Sequence, residues 1–198
     1  MNSRFWKLVL AILTAACAVV PLAFAQEATL HLDPERTTVR FTLGATLHTV
    51  HGTFRLKNGV IKFNSATGAA SGAVVADATS GETGNQKRDR NMHRDVLMSQ
   101  RYPEITFTPT RMIGAVQPQG ESSLQVEGVL RLQGNDHPVT LPFKVQASEN
   151  ELRATTQFTV PYVAWGLKNP STFFLHVADK VELSIDATGK LTTVAGQR

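Results

Sequence analysis

The sequence holds a single cysteine, Cys17, and it lies in the apolar N-terminal run, so the chain beyond it has neither thiol nor disulfide. Zinc–thiolate ligation, a cysteine nucleophile and thiol redox chemistry therefore fall together for that region. Tryptophan and tyrosine are scarce, two of each. With no basic run interleaved with stacking aromatics, a nucleic-acid surface is set aside. No serine occupies a nucleophile elbow, since Ala70-Ser71-Gly72 lacks the glycine spacing of that turn. The six histidines are dispersed, and the closest pair, His48 and His51, stand three apart and would face opposite sides of a strand. No acidic residue or cysteine stands beside them at ligand spacing, so no metal site is expected. Asp33, Asp77, Asp136 and Asp179 adjoin turn formers, where aspartate is at home in any case.

What is present begins with a leader. Arg4 and Lys7 precede an apolar run from Leu8 to about Val20, and Pro21 and Ala23-Phe24-Ala25 follow. This order reads as a secretory signal peptide, residues 1–25, cleaved after Ala25 to leave a chain that starts at Gln26 and is exported to the periplasm. Two other readings of the segment stay open: an uncleaved apolar anchor from Leu8 to Ala25, and lipoprotein processing at Cys17. The formal net charge is +4, and it falls to +2 without Arg4 and Lys7, the only charged residues of the leader. A weakly basic, interspersed surface is a matter of solubility and does not single out a polyanionic partner. The remaining ~170 residues are enough for one well-buried domain, 26–198.

From Thr37 to Ala187 apolar and polar residues alternate, as in Val39-Arg40-Phe41-Thr42-Leu43. Successive side chains of a strand point to opposite faces, so each such stretch offers one apolar and one wet face. The fold class is all-β. Strands are expected over about 28–33, 37–46, 49–57, 59–64, 71–78, 104–113, 123–133, 137–147, 151–160 and 179–187. Asp-Pro, Asn-Gly, Gly-Asn-Asp and Glu-Asn separate them, and Asn58-Gly59 marks the sharpest expected hairpin. An antiparallel meander that closes on itself is the economical topology. By alternation Val39, Phe41, Leu43, Phe54, Leu56, Ile61, Phe63, Ile105, Phe107, Leu124, Val126, Leu130, Leu132, Leu141, Phe143, Phe158, Leu183 and Ile185 face inward. Alternation alone does not distinguish a filled barrel from a hollow one.

Two segments break the rhythm. Thr83 to Gln100 is polar and charged, with apolar residues only at Met92, Val96, Leu97 and Met98, and reads as one or two short helices over a barrel end, the first capped by Thr83. Asp89 and His93 stand at i,i+4 there, and Arg88 and Arg94 are the candidates to hold an anionic head group, because a guanidinium fork suits phosphate or carboxylate. Pro161 to Leu175 is a long aromatic loop that lids or plugs an end, with Trp165, Phe173 and Phe174 as candidate gate residues. With them, Phe41, Leu43, Phe54, Phe107, Leu130, Leu132, Phe143 and Phe158 are the candidate contacts of an apolar guest.

Leu32-Asp33-Pro34 followed by Thr38-Val39-Arg40-Phe41, then Gly52-Thr53-Phe54, Thr83-Gly84-Asn85-Gln86-Lys87-Arg88-Asp89, Arg101-Tyr102-Pro103-Glu104 and His137-Pro138-Val139-Thr140-Leu141 come in a characteristic order and spacing. In this respect the chain resembles the YceI-like family, described as lipid- or polyisoprenoid-binding proteins, over roughly Leu30 to Gly189. The resemblance implies a lipocalin-like closed antiparallel barrel of about eight strands with a long apolar chain in its tunnel. It further implies a carrier of an isoprenoid lipid, an isoprenoid quinone or a fatty-acid derivative, with no cofactor and no reaction of its own. The stretch Leu43 to His51 and the aromatic loop through Trp165 and Phe174 depart from the family's usual pattern, so the resemblance assigns no head-group residue. Two other classes stay in view: a filled barrel serving as a structural, interaction or stress-response module, and a lipid-modifying enzyme built on the cluster from Arg88 to Asp95. Partner membrane protein and oligomeric state, monomer or homodimer, are left open.

Overall fold

The computed structural model describes residues 27–194 except 47, 118, 119 and 149. The expected signal peptide, residues 1–25, and with it Cys17, lies outside the described residues. Nine strands follow one another: β1 (Glu27–Leu32), β2 (Thr38–Gly44), β3 (Thr49–Asn64), β4 (Ala70–Glu82), β5 (Glu104–Ile113), β6 (Gly120–Leu132), β7 (Asn135–Ser148), β8 (Glu151–Val160) and β9 (Val181–Val194). From β3 to β9 each strand pairs antiparallel with the next, and β1 and β2 both pair with β3 and β9, so the sheet closes. This is a closed eight-strand antiparallel barrel with one extra strand, as the resemblance implied, and its antiparallel meander is the topology expected from the alternation. Among the described residues no helix is long and apolar enough to cross a membrane.

The extra strand has a simple origin. Along β3, β1 matches Asn64 back to Val60, and β2 continues from Phe54 back to Thr49. Along β9, β1 matches Val194 back to Gly189, and β2 takes over at Asp186. The two are halves of a single barrel position, interrupted by a 3₁₀ turn, Pro34–Arg36. Pro34 starts that turn without a missed hydrogen bond, and Asp33 accepts from the Glu35 amide at 3.0 Å.

Opposite this break the structure corrects the sequence reading. Asn58-Gly59 is not a hairpin: β3 runs straight through it as one strand of 16 residues. The ladder to β4 instead slips between Leu56 and Asn58, a bulge that places an additional residue in β3. A bulge reverses the in–out parity, and so Phe54 and Leu56 share the inner face with Ile61 and Phe63 although their numbers differ in parity. The two halves of β3 are thus served by different partners, β2 before the bulge and β1 after it. Gly59 is selected by space, because a Cβ there would stand 2.7 Å from Leu32 Cδ1.

Between β4 and β5 the charged segment forms one short helix, α1 (Gln86–Asn91), that widens into a π turn over Met92–Val96. Asn85, not Thr83, caps it, accepting from the Arg88 amide at 3.1 Å. Met92, Val96 and Leu97 turn down onto the barrel end.

Two outcomes test this architecture. A Cβ on Gly189 would lie 2.6 Å from the His31 carbonyl oxygen of β1, a backbone atom that cannot step aside. Gly189→Ala should therefore cost roughly 1–3 kcal/mol in urea unfolding, while Gly44→Ala, whose new carbon would meet Ala178 at an ordinary 3.8 Å, should stay within about 0.5 kcal/mol. The second concerns Asp77, which accepts from the Thr79 hydroxyl at 2.6 Å and amide at 2.8 Å. The hydroxyl bond is the largest cause of a lowered Asp77 pKa; burial pushes upward, and the Thr79 amide, Arg55 and Lys57 add to the lowering. A carboxylate with a depressed folded pKa stabilises above its unfolded value of about 4 and loses that contribution as the pH falls through the folded value. Asp77→Asn should melt below the parent at pH 7, and the gap should close as thermal melts are taken to lower pH.

Candidate functional site

The inner faces do not fill the barrel. They leave a cavity of about 180 Å³ to which all nine strands contribute side chains. Leu30 and Leu32 come from β1, Val39 from β2, Leu56 and Ile61 from β3, and Val74 and Ala76 from β4. Ile105 and Phe107 come from β5, Val126 and Leu130 from β6, Leu141 and Phe143 from β7, Ala154 and Phe158 from β8, and Leu183 and Ile185 from β9. Among the described residues Thr37 is the only polar one in the lining, and none that line it is ionisable. For scale, an engineered apolar cavity of ~150 Å³ stays dry and admits benzene. Such a wall can hold an apolar guest.

A packed cluster lies toward each end. At one end Leu30, Met112, Leu124, Val145 and Leu152 meet; at the other Leu97, Leu130, Leu132, Val160, Tyr162 and Leu167 do. The second cluster is the cap, built jointly by the segment after α1 and by the loop between β8 and β9. Tyr162 is buried and donates its hydroxyl to the Ala178 carbonyl at 2.7 Å. Burial first, and the Asp179 charge second, raise its pKa, so it stays a protonated donor. Trp165 lies flat on His137, ring centroids 4.0 Å apart and planes 5° from parallel.

Three buried side-chain polar atoms among the described residues lack a hydrogen-bond partner: Thr37 Oγ1, Thr156 Oγ1 and His137 Nε2. Thr37 lines the cavity, and Thr156 stands on β8 between Ala154 and Phe158, which also line it. Buried polar groups are nearly always satisfied, and leaving one unpaired costs about 1–3 kcal/mol.

The residues singled out from sequence separate into groups. Phe107, Leu130, Phe143 and Phe158 line the cavity. Leu43, Phe54, Leu132 and Trp165 belong to the cap, and Phe41 packs against Phe54 with ring centroids 5.2 Å apart. Phe173 and Phe174 do neither: they are 95% and 88% exposed and stack edge-on against each other. Arg88 turns back on its own segment, donating from Nε to Thr83 Oγ1 at 2.7 Å and from Nη2 to the Thr83 carbonyl at 3.0 Å. Arg94 forks onto Asp95 at 2.7 and 2.8 Å, and this exposed pair raises the arginine's pKa and lowers the aspartate's. Asp89 does not pair with His93; it accepts from the Thr83 amide and hydroxyl. His93 instead bridges Ser99 Oγ at 3.0 Å and the Gly81 carbonyl at 2.8 Å. The contacts to Thr83 and Gly81 tie the helical segment to the end of β4, whereas the Arg94–Asp95 pair is internal to the segment. Among the described residues no three His, Cys, Asp or Glu side chains are grouped to hold a metal ion.

A hollow apolar barrel under a helical and aromatic cap is the geometry against which known proteins can be compared. Residues 30–189 match the YceI-like domain. The chain belongs to the YceI-like family. No curated protein sequence matches it. Among solved structures it is similar to BcnA of Burkholderia cenocepacia, with a TM-score of 0.65 at 19% identity, covering 79% of this chain and 98% of that one. A polyisoprenoid binding domain from Saccharophagus degradans, implicated in plant cell wall breakdown, gives 0.64 at 15% identity, covering 82% and 98%. The YceI protein of Campylobacter jejuni gives 0.59 at 18%, covering 73% and 86%. At such identities the likeness is one of fold.

The YceI-like barrel of this chain owes much of its hollow interior to residues the alternation did not single out. Ala70, Ala76, Ala154 and Ala187 line the cavity, and their small side chains are what leaves space. Leu152-Arg153-Ala154-Thr155-Thr156-Gln157-Phe158 carried that signal, an alternating strand whose inward positions are small in the middle. Val116 enters from the loop between β5 and β6, where no period exists to read. If the Trp165–His137 stack is what closes the cap, Trp165→Ala should speed uptake and release of a hydrophobic fluorophore in stopped-flow mixing. It should also lower stability by roughly 1–3 kcal/mol.

Proposed function

We propose that this protein is an exported carrier that holds an isoprenoid or related long-chain amphiphilic lipid inside its barrel, and that its place of work is the periplasm. The observation that carries the reading is the cavity, which is lined from every strand and, among the described residues, apolar but for Thr37. Burial contributes about 0.8 kcal/mol per CH₂, so a chain of several isoprene units is held without a strong polar anchor. The likeness to a polyisoprenoid binding domain supports the same ligand class. The leader read from Arg4 to Ala25 supports export.

The volume favours a second reading. About 180 Å³ takes a ring or a short chain, and a long prenyl tail needs the interior to widen by rotamer changes at residues such as Met112 and Phe143 or by movement of the cap. A barrel that does not widen has no room for such a tail and serves as a structural or interaction module. Native mass spectrometry of the protein purified without detergent from a bacterial periplasm, with extraction of what dissociates, separates the two. A stoichiometric isoprenoid, quinone or fatty-acid derivative supports the carrier. An empty protein that also refuses added prenyl lipids overturns it. Phe143→Arg should abolish binding in a variant shown by circular dichroism to stay folded, because an unpaired charge would stand in the cavity wall.

A further inference from the structure

The apolar pair at the tip of the β8–β9 loop has no role in the cavity or in the cap. Phe173 and Phe174 are 95% and 88% exposed, whereas the other phenylalanines of the described residues are buried or half-buried. The tip is built rather than loose. The Thr172 amide donates to the Leu175 carbonyl at 2.8 Å, and the Leu175 amide returns to Thr172 Oγ1 at 3.2 Å. At its base Asn169 Nδ2 donates to the Val177 carbonyl at 3.2 Å, the Val177 amide donates to Ser171 Oγ at 2.8 Å, and the His176 amide donates to Thr46 Oγ1 at 3.2 Å. A turn pinned on both sides holds two rings out in water, where they gain nothing.

Charge is distributed in keeping with that tip. The two segments that make the capped end, residues 83–101 and 161–180, carry seven Lys and Arg against three Asp and Glu. Elsewhere in residues 26–198 the acidic residues outnumber the basic by thirteen to eleven. The two cap segments therefore carry a net charge of +4 by themselves, and the strand ends that adjoin them add the exposed Glu82, Glu104 and Glu182.

We infer that Phe173 and Phe174 are a docking tip that seats the capped end of the barrel on an anionic lipid bilayer. A second copy of the chain is the poorer occupant: two phenylalanines bury about 150–250 Å² each, well short of the ~800 Å² per partner that a stable protein interface needs. A bilayer asks for no matching pocket; it takes a convex apolar tip into its interface while basic side chains meet the headgroups. Seated this way, the Trp165 cap faces the lipid. The inference does not depend on what the cavity holds.

Co-sedimentation with vesicles of phosphatidylglycerol and phosphatidylethanolamine tests it directly. The protein should bind these, and bind phosphatidylcholine vesicles less. Each of Phe173→Ser and Phe174→Ser should weaken the partition by about tenfold, and the double variant by about a hundredfold. Because both side chains are in solvent, the variants should keep the parent's circular dichroism and melting temperature. Phe173→Trp should retain binding, with its added emission shifting to the blue on vesicles. Absence of binding to the anionic vesicles, or an unchanged double variant, overturns the inference. So does a concentration-dependent dimer in sedimentation velocity that the double variant abolishes, which would assign the tip to a second copy.

Discussion

Everything in this molecule depends on one hydrogen-bonding constraint: the seam between β3 and β9 must be filled, or the sheet is left with two open edges. No single unbroken strand fills it. β1 takes the lower half of the seam and β2 the upper, and the 3₁₀ turn at Pro34–Arg36 steps between them. Each half satisfies neighbours on both sides, so closure is achieved twice over short lengths. The cost of the step is local, an interruption in two ladders, and it is met by a bulge at Leu56–Asn58 and by glycines at 59 and 189 that let Leu32 and the His31 carbonyl approach.

Closure determines what the interior can be. A closed antiparallel sheet of eight positions has room at its centre for side chains or for one guest, and the balance is set residue by residue. Phenylalanines at 63, 107, 143 and 158 narrow the space, while alanines at 70, 76, 154 and 187 keep it from filling. The cap is made differently. It draws on two insertions in the strand meander, after β4 and after β8, whose buried faces meet over the barrel end. The inner walls are regular and nearly devoid of polar groups; the lid carries Trp165, stacked on His137, and the buried Tyr162.

That division also explains what could be read from the sequence. The inner face was legible because a period of two leaves a mark at every second residue, and fourteen of the eighteen positions assigned inward line the cavity. The other four, Phe41, Leu43, Phe54 and Leu132, lie toward the capped end. The Asn58-Gly59 misreading shows the limit. The dipeptide is the local signal for a hairpin, but the seam behind it offered β3 a continuous partner surface, and tertiary pairing outweighed the local preference. Asn85 in place of Thr83 as helix cap is a shift of two residues within one polar run, where several side chains qualify. The loop was harder still. Trp165, Phe173 and Phe174 look alike as apolar letters, and only the backbone around Asn169 and Ser171 sends the first inward and the other two out. The orphaned hydroxyls of Thr37 and Thr156 could not be foreseen at all, since satisfaction is a property of neighbours.

Glu27 lies opposite both Asn64 and Val194, at the far end of the barrel from the cap. The two ends of the folded chain therefore leave side by side, from the base. The paired ends of β1 and β9 and the cap stand on opposite poles. A domain joined directly before Glu27 or directly after Val194 would start from the base, at the pole opposite the cap.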